Sequence, residues 1–267
     1  MSLKGKFALI TGGSRGIGRG IALKLGAQGV RVGVHYYRNE KAAKETLTAI
    51  RQTGSDGTVL QADLTRPDQV SRLFKQVSNE FDRLDIFVSN ARPEAAEFFV
   101  PPLEITLEQW NSAMNSQATA FLIGAREAAK LMVENGRIIA ITYAPGGRTG
   151  GLQPWVAMGA AKAALETLVR YFAVALAQRG ITVNSVSPGW TDDSVLNSLP
   201  DAVQRAIGEW HQRGWTPMRR LGTPADIGNI VALLCREEAA WITGQLISAD
   251  GGSSLMNAEV PPELQLA

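Results

Sequence analysis

Short apolar runs rich in β-branched residues recur along the chain, at Phe7–Ile10, Val30–Tyr36, Thr58–Gln61, Ile86–Ser89, Arg137–Thr142, Thr182–Ser187 and Leu246–Ala249. Between them, Gly18–Gln28, Glu40–Thr53, Pro67–Phe81, Leu107–Glu134, Pro154–Arg179 and Pro224–Cys235 space their apolar residues at helical intervals. Pro67 and Pro224 suit first helical turns, where a missing N–H costs nothing. A strand followed by a helix, repeated, is the signature of parallel βαβ units. The pattern therefore predicts an α/β protein with a doubly wound, seven-stranded parallel sheet and helices on both faces, spanning residues 1–255 as a single domain. One stretch breaks the alternation. In Asp192–Trp215, Val195, Leu196, Leu199, Val203, Ile207 and Trp210 form an apolar stripe with no strand beside it. It follows a strand's carboxyl end, where such sheets place their ligands, so 192–215 is expected to be a helical substrate lid or a helix packed for structure alone. Residues 256–267, with Pro261-Pro262, form a tail.

Composition narrows the function classes. With 267 residues, 45% hydrophobic, the chain can bury one large core. Its 27 basic and 25 acidic residues are interspersed without a basic block, which argues against nucleic acid as a partner. The lone cysteine, Cys235, lies in an apolar run, so no disulfide framework and no Cys/His metal site is expected. The apolar run before Thr11 is too short for a signal-peptide core and no stretch approaches a membrane span, so a cytoplasmic protein without a membrane partner is expected.

Chemistry enters at Thr11-Gly12-Gly13-Ser14-Arg15-Gly16-Ile17-Gly18, between the first strand and the first helix. Gly12 permits a tight turn, Gly16 close approach of a pyrophosphate, and Gly18 tight packing, while Ser14 and the amides at the helix start suit phosphate. This is the setting of a dinucleotide site in a Rossmann fold. An NAD site usually carries an acidic residue at the end of the second strand, to bond the ribose 2′-hydroxyl. Here the strand ends His35-Tyr36-Tyr37-Arg38-Asn39, with no carboxylate before Glu40. Arg15 and Arg38 can instead clamp a 2′-phosphate, so NADP is the expected cofactor.

These residues, with Ala62-Asp63-Leu64, Ser89-Asn90-Ala91, Ala161-Lys162-Ala163-Ala164, Ser187-Pro188-Gly189 and Ala249-Asp250-Gly251-Gly252 in order, resemble the short-chain dehydrogenase/reductase family over nearly the whole chain. Glu127–Met132 and Lys162–Glu166 look most like its NADPH-dependent enoyl-acyl-carrier-protein reductases. The resemblance implies that Asp63 and Leu64 edge the adenine, that Asn90 and Ala91 line the cofactor ribose, and that Pro188, Gly189 and Thr191 lie against the carboxamide. It also implies a homotetramer, for which Leu165, Leu168, Phe172 and Leu176 offer an apolar face.

The family's catalytic pattern is incomplete. It uses a Tyr four residues before the Lys, or seven before in the enoyl reductases, and those positions hold Met158 and Trp155. The serine position falls at Thr142-Tyr143, the asparagine aligns with Gln117, Arg92 stands where a Gly is common, and Asp193 where a Thr commonly bonds the carboxamide. Three readings are open. Tyr143 donates the proton, its pKa depressed by Lys162. Alternatively, Lys162, Gln117 or a water steadies an oxyanion while solvent supplies the proton. Thirdly, chemistry is lost and an NADP(H)-binding sensor or partner-binding subunit remains. The expected activity is an NADP(H)-dependent oxidoreductase with an atypical active site, reducing a ketone or an enoyl thioester held by Trp155, Met158 and Arg92. His35 and His211 read as packed or surface residues, and Trp210 and Trp215 as packing aromatics.

Overall fold

Alternation along the first strand, β1 (Phe7–Ile10), sends Leu9 into one apolar layer and Ala8 and Ile10 into another, so the sheet is covered on both faces. The computed structural model describes residues 3–94, 99–143, 153–193, 195–256 and 260–265. After β1 come β2 (Arg31–Tyr36), β3 (Gly57–Gln61), β4 (Ile86–Ser89), β5 (Arg137–Ile141), β6 (Thr182–Pro188) and β7 (Leu246–Ala249). They form one parallel sheet of order β3-β2-β1-β4-β5-β6-β7. The order reverses between β1 and β4, and the crevice at their carboxyl ends is where a ligand is expected.

The helices α1 (Gly16–Gly26), α2 (Glu40–Gln52) and α3 (Pro67–Glu80) follow the first three strands. Asn39 caps α2 by accepting the Ala42 N–H at 2.9 Å, and Pro67 opens α3 as expected. The expected single helix over Leu107–Glu134 is in fact α4 (Leu107–Met114), a π-helical turn at Asn115–Thr119, and α5 (Ala120–Leu131). The wide turn brings both Ser116 and Gln117 inside, with 7% and 2% of their surface exposed. Next come α6 (Val156–Leu176), α7 (Asp201–Trp210), α8 (Pro224–Leu234), begun by a Thr223/Asp226 capping box, and the short α9 (Pro262–Gln265). On one face α3, α5 and α6 bury Phe74, Phe121 and Leu165, and on the other α1 and α8 bury Ile21, Leu25, Ile227 and Val231.

One sequence expectation changes here. The α6 face assigned to a subunit contact belongs to the chain's own core: Leu165 and Leu176 are buried, and Leu168 and Phe172 pack against the same cluster. The large apolar residues that α6 exposes are Tyr171 and Val174. The insertion is helical, but none of α7 is buried, and Val203 and Trp210 remain exposed. Ser194 of the insertion, and residues 257–259 and 266–267 of the tail, lie outside the described residues. Among the described residues no helix is long and apolar enough to cross a membrane, and no cluster of metal-ligating side chains occurs.

Candidate active site

The turn after β1 is fixed from three sides. Gly12 and Gly16 have positive φ values of 64° and 52°, a backbone that glycine adopts without strain. The Gly12 N–H donates to His35 Nδ1 at 3.0 Å, and His35 Nε2 lies 3.1 Å from the Ala62 carbonyl. Both contacts are satisfied by one neutral tautomer, with the proton on Nε2. Burial pushes the His35 pKa down to about 4, so this clamp stays neutral. From β4, the Asn90 and Ala91 N–H groups donate to Thr11 Oγ1 at 2.9 and 3.1 Å, and Asn90 Nδ2 donates to the Thr11 carbonyl at 3.0 Å. A Cβ at Gly18 would stand 2.1 Å from the Gly12 carbonyl oxygen and 2.5 Å from Asn90 Nδ2, so only glycine fits beneath the turn.

A cavity of about 270 Å³ runs over this turn. Gly12, Ser14, Arg15, Ile17, Gly18, Tyr37, Arg38, Asp63 and Leu64 line one end, and Asn90, Ala91, Pro188, Gly189 and Thr191 line its middle. Gly16 shapes the turn without lining the cavity. The cradle fits a dinucleotide. It is floored where a Cβ would intrude, α1 starts without a side-chain cap so that its first N–H groups suit a phosphate, and cations flank the adenosine end. Arg38 lies 4.6 Å over the Tyr37 ring and donates to Tyr37 Oη at 3.2 Å. Arg15, however, is paired with Glu94 at 2.5 Å, so the two-arginine clamp expected for the 2′-phosphate is not preassembled. That pair is half exposed, and such pairs exchange partners at little cost.

At the other end Lys162, Tyr143, Trp155, Met158, Arg92 and Asp193 line the same cavity. Lys162 rises from α6, is 6% exposed, and donates from Nζ to the Ile141 carbonyl at 2.6 Å. Burial, followed by the charge of Arg92, lowers its pKa to about 7, against the opposing pull of Glu166. Glu166 in turn accepts from Thr142 Oγ1 at 2.6 Å. Tyr143 meets the Trp155 ring edge to face at 5.3 Å. Burial pushes its phenol up to about 12, the reverse of the depression expected from Lys162, because loss of water outweighs any help from the ammonium. Gln117 does not line the cavity. Its Nε2 donates to the Ala91 carbonyl at 3.1 Å and to Ser116 Oγ at 3.1 Å, so it positions the strand end rather than touching reacting atoms.

Against this geometry the comparisons are direct. A family model described as enoyl-(acyl carrier protein) reductase matches residues 12–254. The chain belongs to the short-chain dehydrogenase/reductase family. Within it, the chain is 35% identical over 260 residues to the hydroxynaphthalene reductase-like protein Arp2 of Metarhizium brunneum, covering 94% of this chain and 96% of that one. The tetrahydroxynaphthalene reductase PfmaG of Pestalotiopsis fici is 34% identical over 256 residues, covering 93% and 91%. The crystal structure of the angucycline C-6 ketoreductase LanV with bound NADP superposes with a TM-score of 0.85 at 35% identity, covering 96% of this chain and 98% of that chain.

As a member of this family the chain is an oxidoreductase by descent, yet the phenol position four residues before Lys162 holds Met158, 2% exposed beside Ala113, Ala157 and Ala161. Several residues at the site carried no sequence signal. His35 sits on a strand and reads as packing until its two ring contacts are seen. Ser116 reaches the cavity only because of the π turn, and Trp190 lines it beside Gly189. Cys235 is buried with its thiol pushed up to about 12, as an inert core residue. His211 is buried too, its Nδ1 2.7 Å from the Ile207 carbonyl and away from the cavity.

Proposed function

We propose that this chain is an NADP(H)-dependent reductase of planar conjugated carbonyl compounds, ketones or enoyl thioesters, working without the usual phenol at position 158. The observation that carries this reading is a single cavity continuous from Arg38, past the glycine turn, to Lys162 and Tyr143. NADP bound to LanV supports the cofactor, and the absence of a carboxylate between Tyr36 and Glu40 agrees with it. Naphthalene-type and angucycline substrates in the relatives' names support a flat ketone, which the aromatic wall of Tyr143, Trp155 and Trp190 suits. The description of the family model supports an enoyl group as the alternative acceptor.

When bound, the reduced cofactor supplies a hydride to the substrate carbon. The chain does the rest. Asn90, Ala91, Pro188, Gly189 and Thr191 orient the ribose and carboxamide, and Lys162 holds the ribose with its ammonium. Tyr143 Oη, which keeps its proton up to about pH 12, hydrogen-bonds the substrate oxygen and yields that proton as negative charge builds there. Conjugation matters because delocalised charge on the substrate asks less of this weak acid. Residues 1–255 are read as the dinucleotide-binding domain, 192–215 as the substrate lid, with Asp193 and Val195 already at the cavity, and 256–267 as a tail whose α9 lies against residues 211–215. Exposed Leu122, Tyr171, Val174 and Trp241 support a homotetramer, and the protein is read as cytoplasmic.

The test adds NADPH to the pure protein, measures binding by fluorescence, and screens ketones and enoyl thioesters for loss of reduced cofactor. Binding with oxidation by conjugated members is expected, slowed about tenfold or more in Tyr143→Phe. Tight binding with no oxidation in either panel overturns the catalytic reading in favour of a cofactor-sensing subunit.

A further inference from the structure

The cavity holds a second cation beside Lys162. Arg92 follows the Asn90-Ala91 segment, whose N–H groups are held by Thr11 Oγ1 and whose Ala91 carbonyl is held by Gln117, so its backbone is anchored to both the cofactor turn and the π turn. Its side chain lines the cavity with Met158, Lys162, Tyr143 and Trp190. Nη1 donates to the Pro93 carbonyl at 2.7 Å, which fixes the head against its own loop. Asp193, which also lines the cavity, supports the Arg92 charge with its own and accepts at Oδ1 from the Val195 and Leu196 N–H groups at 2.8 and 3.4 Å.

Resting on the reductase reading, we propose that Arg92 binds the substrate oxygen that carries negative charge, and that the substrates are conjugated carbonyl compounds bearing or developing an anionic oxygen at this point. A guanidinium carries five N–H donors, so with Nη1 turned to Pro93 it still has N–H groups to offer such an oxygen, and unlike an ammonium it keeps its charge when buried. Arg92 and Lys162 repel each other, to the detriment of the Lys162 charge, and an anion between them relieves that repulsion. Met158 offers no donor to the same oxygen, so a charge close by adds to the hydrogen bond that Tyr143 supplies.

The experiment compares 2-naphthoate with 2-naphthamide, which have nearly the same shape and differ in charge, by calorimetry on the full chain with and without NADP⁺. The wild-type protein is expected to prefer naphthoate about ten- to a hundredfold, the range of a hydrogen bond to a charged group. Arg92→Gln should erase that preference, and Arg92→Lys should keep part of it, while both variants melt as the wild type does and bind NADP⁺ with unchanged affinity. A preference absent from the wild type, or intact in Arg92→Gln, overturns the proposal. So does a loss of NADP⁺ affinity in Arg92→Gln with the naphthoate preference unchanged, which would assign Arg92 to the pyrophosphate. The preference is read without turnover, so a failure of NADPH oxidation counts against the reductase reading and not against this one.

Discussion

Replacing His35 with leucine removes the clamp between β2 and the glycine turn. The Gly12 N–H and the Ala62 carbonyl both lose their partner inside the protein. A buried polar group left unsatisfied costs about 1–3 kcal/mol, so the two together should lower stability by about 2–6 kcal/mol near neutral pH. The effect has a pH signature. Burial lowers the His35 pKa from 6.5 to about 4, so between those values the unfolded chain binds a proton that the native state refuses. The stabilisation is complete above pH 6.5 and is lost as pH falls through about 4. At about 1.4 kcal/mol per pH unit this amounts to about 3 kcal/mol. Urea denaturation of both proteins from pH 7.5 to 4 should therefore show a large gap that narrows by about 3 kcal/mol toward acid. Equal stabilities at pH 7.5, or a gap that stays constant with pH, would refute the reasoning.

Three further outcomes follow from the same geometry. Lys162 is an ammonium only below about pH 7, so NADPH affinity measured by fluorescence should fall as pH rises through 7, and Lys162→Met should bind weakly and without that pH dependence. Arg38→Ala should weaken NADPH about tenfold or more while leaving NADH nearly unchanged, as titrations with the two cofactors would register. Gly18→Ala forces a methyl against the Gly12 carbonyl at 2.1 Å, so it should abolish NADPH binding or lower the melting temperature by several degrees, read by calorimetry.

The sheet was legible in the chain because a parallel strand buried on both faces is a short apolar run, and the seven observed strands begin and end within a residue or so of those runs. The π turn at Asn115–Thr119 was not, since apolar residues at helical spacing flank it on both sides and only the widened backbone shows that Ser116 reaches the cavity. The cofactor end could be read from glycines whose spacing is set by local backbone demands, whereas the Arg15–Glu94 pair joins residues 79 apart and leaves no local trace. The α6 face misled because an apolar stripe looks the same whether it meets the core or another subunit, and only burial separates Leu165 from Val174. The direction of the Tyr143 pKa depended on solvent exclusion, which spacing from Lys162 does not report.

The central claim is that this cavity delivers hydride to a conjugated carbonyl without a phenol at position 158. Its most direct test is deuterium transfer from NADPH labelled at the nicotinamide C4, with the product examined by mass spectrometry. Label in the product at the carbonyl or β-carbon, formed by the wild type and unaffected when Met158 is changed to leucine, is the predicted result. Unlabelled substrate recovered from every member of the panel, with the cofactor bound and intact, would contradict the account.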